Sequence, residues 1–420
     1  MRVLYFHQHF STPQGAASIR SYQMARRLLH HGHNVTMVCG RYSSGNTELE
    51  GPFRHGRREG TVDGIRVVEF DLNYSNTDGF LRRAVTFVRY SLASISLVML
   101  ESYDVAFATT TPLTAGIPGI FARWVRHKPF VFEVRDLWPE LPREMGVITN
   151  PVALMAMSVL EWASYRSAHR CIALSPGIAK GIEKRGVSPE RIAMIPNGCD
   201  IEIFANPKEP HWRPEGVAES DLMAIYTGTH GQANGLDAVL DAAIVLQATG
   251  QRDIKLVLVG NGKLKPTLQE RAKIKGLDNV IFHPSVPKDR LAGLMLAADL
   301  GIQCLANVSA FYNGTSPNKF FDYIAAGLPV LNNYPGWLSE KIIENECGWA
   351  VPPDDARGFA EVLQAIAANR ETLVQKGRNA SALAAREFNR TYLADKWVNW
   401  VTKGALQGKA LSASPTTRSP

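Results

Sequence analysis

The sequence predicts an α/β protein made of two Rossmann-like domains, and three observations lead to this prediction. Short apolar segments bounded by turn residues alternate with segments of helical periodicity along most of the chain. The same alternation begins again at Met223, after a stretch rich in Pro, Glu and Trp. A chain of 420 residues is also long enough to bury two sizeable cores.

The domain boundaries follow from this alternation and from the composition of the segments between the elements. We expect an N-terminal domain at 1–204, a linker at 205–221, a C-terminal domain at 222–390, a helix at 391–405 that crosses back to the first domain, and a tail at 406–420. The tail is small and polar, so we expect it to be disordered.

The composition is that of an ordinary globular protein, with 45% hydrophobic and 20% charged residues. The five cysteines are scattered without a C-x-x-C pair, so we expect each to be a small buried side chain in a reducing compartment. The N-terminal sequence turns polar too soon for a signal peptide. The longest charge-free run, 105–122, is broken by Pro and Gly, which disfavours a membrane span. We therefore expect a cytoplasmic protein.

The net charge of +7 is concentrated in the first half of the chain. Residues 1–205 hold 23 Lys and Arg against 18 Asp and Glu, and the remaining residues hold 23 against 21. A basic first half suits anionic lipid headgroups, a phosphorylated acceptor or nucleic acid. We rank nucleic acid last, because no aromatic and basic recognition motif accompanies the charge.

The most informative stretch runs from Thr315 to Leu331 and reads T-S-P-N-K-F-F-D-Y-I-A-A-G-L-P-V-L. Ser316 is predicted to cap a helix whose first turn holds Asn318 and Lys319, a plausible anion site. Asp322 follows Lys319 by three residues, so the cation and the carboxylate share a face. A diphosphate beside the lysine and a sugar hydroxyl beside the aspartate would fit. The alternative is a structural helix with a surface Lys–Asp pair.

Two loops after predicted strands add further candidates. The loop S-T-P-Q-G-A-A-S-I-R, between a strand at 2–6 and a helix at 16–31, has small residues that let a ligand approach the backbone; an ordinary tight turn is the alternative. A strand at 130–134 ends in E-V-R-D-L-W-P-E, which places four charged groups where α/β folds bind ligands. A buried structural Arg–Asp pair is the rival interpretation.

Two basic segments of the first half remain ambiguous. Residues 41–61 read as a mobile loop whose cluster of Arg54, His55, Arg57 and Arg58 lies on the acceptor side, or as a solvated loop without a role. Residues 81–100 form a helix whose arginines stand beside apolar side chains. That helix either lies on a membrane surface or packs into the domain core.

Five motifs occur in an order that resembles the retaining glycosyltransferases of family 4. They are P-x-G-A-A-S-x-R, E-V-R-D-L-W-P-E, I-P-N-G-C-D, G-T-H-G and S-P-N-K-F-F-D-Y-x-A-A-G-L-P-V. The resemblance implies the GT-B architecture of two Rossmann-like domains facing across a cleft. It is strongest to the branch of predicted L-fucosamine transferases from capsule, O-antigen and exopolysaccharide clusters.

The chain departs from the family pattern at several functional positions. Of the family's two glutamates, the second corresponds to Asp322 and the first to Gly314. Thr229 and Asn234 stand where the family has an arginine and a lysine that neutralise the leaving diphosphate. We expect Lys319, His230 and the backbone N–H groups of the loop to compensate for the missing cations, with Arg20 reaching across the cleft.

The site residues implied by the resemblance fall into two groups. The catalytic candidates are Lys319, Arg135, Asp136 and Arg20, with Arg20 reaching across the cleft. The donor-binding candidates are Gly15, Thr229, His230, Gly231, Gly262, Val286, Ser316, Asn318, Lys319 and Asp322. Enzymes of the GT-B class generally use no metal, and the sequence has no D-x-D motif or His/Cys cluster, so we expect neither a metal nor a cofactor.

The implied function is transfer of a sugar, expected to be an N-acetylated amino sugar, from a UDP-sugar donor with retention at the anomeric carbon. The expected acceptor is a saccharide or a polyprenyl-diphosphate-linked saccharide of the cell envelope, met at the inner face of the cytoplasmic membrane. Two alternatives stay open. One is a sugar-nucleotide 2-epimerase, and the other is a non-catalytic protein that binds sugar nucleotides.

Overall fold

The computed structural model describes residues 1–15, 17–75 and 78–412, with side chains up to residue 403. The chain forms two compact units. Unit 1 comprises residues 1–196, 314–316 and the described residues from 391 onwards, and unit 2 comprises 197–313 and 317–390. The first boundary therefore lies inside the I-P-N-G-C-D motif rather than after residue 204.

The segment 205–221 is part of unit 2 and not a free linker, so that prediction is wrong. The indole nitrogen of Trp212 donates to the Arg290 carbonyl at 2.9 Å. Arg213 pairs with Asp299 at 3.3 Å. These side chains attach the segment to the body of unit 2, which composition alone could not reveal.

The elements of unit 1 agree closely with the predicted ones. Its strands are β1 (Arg2–Phe6), β2 (Asn34–Tyr42), β3 (Arg57–Val62), β4 (Ile65–Tyr74), β5 (Val105–Thr109), β6 (Phe130–Val134), β7 (Arg170–Ala173) and β8 (Ile192–Met194). Its first helices are α1 (Arg20–His30), α2 (Phe80–Leu100), α3 (Gly116–Trp124), α4 (Glu140–Glu144), α5 (Pro151–Ser167) and α6 (Pro176–Lys184). Helix α1 starts later than predicted; Ala16, its expected first residue, lies outside the described residues.

Unit 2 repeats the alternation of strands and helices. Its strands are β9 (Leu222–Thr227), β10 (Ile254–Val259), β11 (Val280–His283), β12 (Leu300–Gln303), β13 (Val330–Asn332) and β14 (Gly348–Ala350). Its helices are α7 (Ile201–Ala205), α8 (Asp237–Ala248), α9 (Lys265–Ile274), α10 (Lys288–Ala297), α11 (Ser309–Gly314), α12 (Asn318–Ala325), α13 (Trp337–Glu344), α14 (Ala356–Ala368) and α15 (Glu371–Glu387). The last helix, α16 (Arg390–Ser412), belongs to unit 1 from Thr391 onwards. The predicted tail is thus helical up to residue 412, and 413–420 lie outside the described residues.

The sheet of unit 1 has eight strands in the order β3-β4-β2-β1-β5-β6-β7-β8. Because β1 is buried on both faces, its side chains alternate between two cores. Leu4 and Phe6 pack with α2, α3 and α5 on one face. Val3 and Tyr5 pack with α1 and α16 on the other. On that second face the Trp397 ring stacks on Tyr5 at 5.9 Å, so α16 is an integral part of unit 1.

The basic segment 41–61 is not a simple mobile loop, because it contains β3, which pairs antiparallel with β4. The turn between the two strands is Asp63–Gly64, with φ of 50° and 81°. Arg57 pairs with Glu59 at 3.1 Å and Arg58 with Glu69 at 2.6 Å. Half of the predicted basic cluster is therefore neutralised by carboxylates of its own hairpin.

Unit 2 has a six-stranded parallel sheet in the order β11-β10-β9-β12-β13-β14. Helices α8, α9 and α14 cover one face. Helices α10, α12, α13 and α15 cover the other, where Phe320 and Phe321 of α12 are fully buried. All five cysteines of the chain are buried and form no disulfide, as the sequence predicted.

Candidate functional site

Each sheet has one topological switch point, at which the strand order reverses. Ligands of α/β proteins bind outside the carboxyl ends of the strands at such points. In unit 1 the chain builds outward from β1 on one side and then returns to place β5 on the other side. In unit 2 β9 and β12 have the same relation. The residues that follow these four strands therefore define the candidate site of each unit.

Arg20 does not reach toward a ligand, because it is buried in an ion pair with Glu133. Its side chain is 0% exposed, and its Nη2 lies 2.9 Å from a Glu133 carboxylate oxygen. Nη2 also donates to the Ile195 carbonyl, Nε donates to Glu133, and Nη1 donates to the Pro196 carbonyl. Every guanidinium nitrogen of Arg20 is thus engaged inside unit 1, which gives Arg20 a structural role, and its catalytic role stays a prediction.

Glu133 is the centre of this buried network. Burial alone would raise the pKa of its carboxyl, but the positive charges of Arg20 and Arg135 and hydrogen bonds from Arg20 and Thr109 hold it at about 2. The indole nitrogen of Trp397 also donates to Glu133, at 3.1 Å. The motif E-V-R-D therefore begins with a buried structural carboxylate. The alternative interpretation of this motif was also a buried structural ion pair, but between its arginine and its aspartate.

Arg135 and Asp136 lie just beyond β6 and are only partly buried. The Nε of Arg135 donates to Thr109 Oγ1 at 2.8 Å and to Glu133 at 3.2 Å. One oxygen of Asp136 accepts from Thr111 Oγ1 at 3.1 Å, and burial raises the pKa of this carboxyl. Unlike Arg20, both side chains keep partial solvent access at the carboxyl edge of the sheet.

Three polar residues that sequence reasoning missed follow β1 directly. His7 and Gln8 are buried, and His7 Nδ1, His9 Nε2 and both polar atoms of the Gln8 side chain have no hydrogen-bond partner among the described residues. Burial and the charges of Arg135 and Arg83 lower the pKa of His9 to about 3, so its ring is neutral at physiological pH. The H-Q-H triplet after the first strand was the available signal.

Gly15 is close-packed against the protein itself and not against open space. A Cβ at this position would lie 2.2 Å from Ser11 Oγ and 2.7 Å from the Asn46 amide nitrogen. Its own amide donates to the Thr12 carbonyl at 3.1 Å. The glycine is thus required by the turn, and its predicted role as an opening for the donor is not supported by this packing.

In unit 2, Lys319 is half-buried and makes no ion pair with any described residue. Its Nζ donates to Asn234 Oδ1 at 3.3 Å and lies 5.0 Å from the centre of the Tyr226 ring. Burial lowers its pKa to about 8. The lysine therefore holds a positive charge at neutral pH with only dipolar partners, in a place where an anion would be strongly favoured.

The helix that carries Lys319 begins at Asn318 and not at Pro317. Pro317 is the N-cap residue, with an extended ψ of 128°, so Ser316 is outside the helix and the predicted serine cap is wrong. Asn318 and Lys319 still form the first turn, where free amide groups and the helix dipole favour an anion. The anion site predicted here is thus retained with a different cap.

Asp322 pairs with Lys288, a residue that sequence reasoning missed. The Lys288 Nζ lies 2.5 Å from Asp322 Oδ1, and the two side chains are 27% and 11% exposed. Asp322 Oδ2 has no partner among the described residues. Lys319 and Asp322 therefore have separate partners, and the alternative of a surface pair between Lys319 and Asp322 does not occur.

The remaining predicted residues of unit 2 lie in the loops after β9, β10 and β11. Thr229 is exposed, and Gly231 has room for a side chain. His230 is fully buried, and burial and Lys265 lower its pKa to about 4, so it cannot supply a positive charge at neutral pH. Gly262 is required by packing, because a Cβ would lie 2.4 Å from the His230 carbonyl oxygen.

Val286 has a hydrophobic role, since its side chain packs on the core beneath α12. In the described part of the chain, no three His, Cys, Asp or Glu side chains come together in a group that could hold a metal ion. The expectation of a metal-independent site stays a prediction.

Comparison with known proteins matches both units to glycosyltransferase families. A family model described as a glycosyl transferase 4-like domain matches residues 15–198, and one described as glycosyl transferases group 1 matches residues 208–382. The chain is 26% identical over 227 residues to a D-inositol 3-phosphate glycosyltransferase of Arthrobacter sp. (strain FB24), covering 53% of this chain and 52% of that protein.

A second relative and a solved structure extend the comparison. The chain is 22% identical over 234 residues to O-antigen chain mannosyltransferase C of Escherichia coli, covering 55% of this chain and 60% of that protein. It thus spans about half to three-fifths of the length of these curated relatives. The structure of Anabaena Alr3699/HepE in complex with UDP-glucose superposes with a TM-score of 0.68 at 17% identity, covering 96% of this chain and 100% of that chain.

The two family models together cover most of the chain. At 17% identity the likeness to the HepE structure establishes the fold alone. The chain belongs to the family 4 and group 1 glycosyltransferases and has their GT-B fold.

Proposed function

We propose that the protein is a retaining glycosyltransferase that moves a sugar from a UDP-sugar to a saccharide acceptor of the cell envelope. The observation that carries this proposal is the unpaired cation Lys319. A lysine held out of bulk water without a carboxylate beside it is costly, and a diphosphate would remove that cost. Its place at the start of α12, beside β9 and β12, is where an α/β sheet offers a ligand its backbone amides.

The donor is proposed to bind unit 2 through two charged groups. Lys319 and the first-turn amides of α12 would hold the diphosphate, together with backbone N–H groups of residues 228–231. Asp322 would accept from a ribose hydroxyl through Oδ2, because Lys288 occupies Oδ1 and neutralises part of the charge. The charge of Lys288 would limit the repulsion between the Asp322 carboxylate and the diphosphate.

The proposed donor and acceptor are supported by similar proteins and by the motif resemblance. HepE, whose fold this chain shares, was solved with UDP-glucose, which supports a UDP-sugar donor. The relative named O-antigen chain mannosyltransferase C supports an envelope saccharide, free or linked to a polyprenyl diphosphate, as the acceptor. The N-acetylated amino sugar and the L-fucosamine branch rest on the motif resemblance alone. An acceptor of this kind would be met at the cytoplasmic face of a membrane.

The chemical step is proposed to depend on charge stabilisation and orientation. As the bond from the anomeric carbon to the diphosphate oxygen breaks, the sugar gains oxocarbenium character and the diphosphate gains charge that Lys319 would stabilise. The acceptor oxygen would bond to the anomeric carbon on the same face, and its proton would pass to the leaving diphosphate. His7, His9 and Gln8 of unit 1 have free nitrogen or oxygen atoms that would orient an acceptor hydroxyl. Arg135 and Asp136 border the same strand ends and would position the acceptor. The step needs no carboxylate pair of the glycosidase type.

The first experiment is calorimetric titration of the full chain with UDP and UDP-sugars, in the presence of EDTA and of magnesium. Lys319→Met should weaken binding of UDP at least about tenfold, because a charge-assisted contact to phosphate is lost. The matched control is Lys263→Met, an exposed lysine on a neighbouring loop of unit 2, which should bind as the wild type does. Equal affinity of the Lys319 variant and the wild type would refute the phosphate role.

Turnover is tested with the UDP-sugar that binds best. Incubation without acceptor should leave the sugar unchanged, whereas conversion to a second UDP-sugar would identify a 2-epimerase. With envelope oligosaccharides added, NMR of the product should show the anomeric configuration of the donor. Inversion would contradict the proposed mechanism.

A further inference from the structure

Unit 1 exposes an unusual amount of apolar surface on three neighbouring helices. Helix α3 packs between α2 and α5 on one face of the sheet. Fourteen of the twenty large exposed hydrophobic side chains among the described residues lie on these helices or on the C-cap residue of α3, and each is between 36% and 80% exposed. They are Phe80, Leu81, Val85, Val88, Leu92, Met99, Leu100, Phe121, Trp124, Val125, Val152, Met155, Val159 and Trp162.

These side chains form stripes that face away from the sheet, and we call them together the apolar face. On α5 the exposed residues recur at Val152, Met155, Val159 and Trp162, the spacing of one side of a helix. A helix with apolar residues on its outer side as well as its inner side normally has a partner on both sides. The sheet supplies the inner partner, and no other part of the described chain covers the outer side.

Helix α2 is also long and apolar enough to cross a membrane by its length and composition. Its inner side, however, is built into unit 1. Tyr90 is fully buried and donates to the Val38 carbonyl of β2 at 2.8 Å, and Leu97 and Val98 are buried beside it. A helix fixed to the sheet in this way offers only its outer side to lipid.

The charged side chains of the three helices that reach solvent are all positive. The helices carry five arginines, at positions 82, 83, 89, 123 and 166, and a single carboxylate, Glu161. Glu161 is buried and paired with Arg185 at 2.6 Å. Arg82 reaches Asp78 at 3.3 Å, and Arg89 has no ion-pair partner among the described residues. The apolar face is thus bordered by cations, which complements an anionic lipid surface.

We propose that unit 1 docks on an anionic lipid bilayer through the apolar face of α2, α3 and α5, with the bordering arginines against lipid phosphates. This surface would be the membrane contact expected for the proposed function. The docking itself is inferred from the exposed apolar side chains and the arginines of the three helices, and it does not depend on glycosyl transfer. Trp124 fits an interfacial position, because its ring edge donates to Ser167 of α5 and the rest of the ring is exposed.

The test is co-sedimentation of the full chain with vesicles, in the absence of nucleotide. One set contains phosphatidylcholine alone and the other contains about one third phosphatidylglycerol. The chain should bind the anionic vesicles, and binding should weaken as salt is raised. The double variant M155Q/W162Q should reduce the apparent affinity by roughly tenfold or more, since two inserted side chains are lost.

The chain contains a closely matched control. Met155 and Trp162 are 71% and 54% exposed, and Ile274 and Ile343 on helices of unit 2 are 72% and 55% exposed. The variant I274Q/I343Q should therefore bind vesicles as the wild type does. A third variant, R89Q/R123Q, should lose the preference for anionic over neutral vesicles.

Two outcomes would overturn the proposal. One is failure of the wild type to sediment with either vesicle set. The other is a dimer in analytical ultracentrifugation that M155Q/W162Q dissociates, because a second copy would then cover the apolar face. Titration with UDP is run on the same preparations, so a lipid-binding failure with normal UDP affinity refutes only the docking surface.

Discussion

Replacement of Lys319 by Met should stabilise the protein while it removes donor binding. The pKa of Lys319 falls from 10.5 to about 8 on folding, because the half-buried ammonium loses water. Each pKa unit corresponds to about 1.4 kcal/mol, so keeping this lysine charged costs about 3 kcal/mol at neutral pH as an upper limit. Partial solvent access reduces the cost, and we expect Lys319→Met to raise the free energy of unfolding by about 1–3 kcal/mol.

The pH dependence of this gain has a definite sign. Between the folded and unfolded pKa values of Lys319, about 8 and 10.5, the unfolded chain binds more protons than the folded chain. The wild type is therefore stabilised relative to the variant as the pH rises through this window, and the difference is largest below it. The advantage of Lys319→Met should disappear near pH 10.5.

The assay is urea unfolding of wild type and variant at about pH 7 and at about pH 10, without nucleotide. The control Lys263→Met replaces an exposed lysine and should change stability by no more than about 0.5 kcal/mol. A Lys319 variant less stable than the wild type at neutral pH would refute the reasoning. So would a difference between the two proteins that stays constant with pH.

Three further substitutions separate structural from ligand-binding roles. Arg20→Met should destabilise unit 1 by about 3–5 kcal/mol in urea unfolding, since it leaves a buried carboxylate without its main cation, and UDP affinity of unit 2 should be unchanged. Lys288→Met should weaken UDP binding about tenfold in calorimetry, because Asp322 would lose its ion-pair partner and more of its negative charge would face the donor; an unchanged affinity would contradict that role. Gly262→Ala should lower the thermal unfolding midpoint, whereas Gly314→Ala, where no atom lies within 4 Å of a new Cβ, should not.

The strands and most helices could be predicted because their signals are local. Strands β1 and β6 have the predicted bounds, since a fully buried parallel strand is a short apolar run between turns. Ser175 caps α6 by accepting a bond from the Ile178 amide, which is also a local interaction. The hairpin of β3 and β4 was missed, although its Asp63–Gly64 turn is a strong hairpin signal, because the polar strand before it shows no apolar pattern.

The partners of the charged residues could not be predicted, because they are set by long-range topology. Arg20 meets Glu133 over 113 positions of sequence, and Lys288 meets Asp322 over 34. The motifs located Arg20, Glu133 and Asp322 near a strand end or in a helix, but they did not reveal which of these charges was already neutralised, and they did not include Lys288. That information exists only once the sheet order places β1, β5 and β6 side by side.

The state of those charges is also what separates the chemical roles of the two units. In unit 1 the buried Arg20 and Glu133 satisfy one another, and the groups left free at the strand ends are the neutral atoms of His7, Gln8 and His9. In unit 2 the cation Lys319 has no counter-anion among the residues that the structure describes. Neutral donors and acceptors suit hydroxyl groups, whereas an unpaired cation suits a diphosphate. Which charged groups already have partners is therefore a better guide than the motifs alone, and it favours unit 2 for the nucleotide and unit 1 for the sugar acceptor.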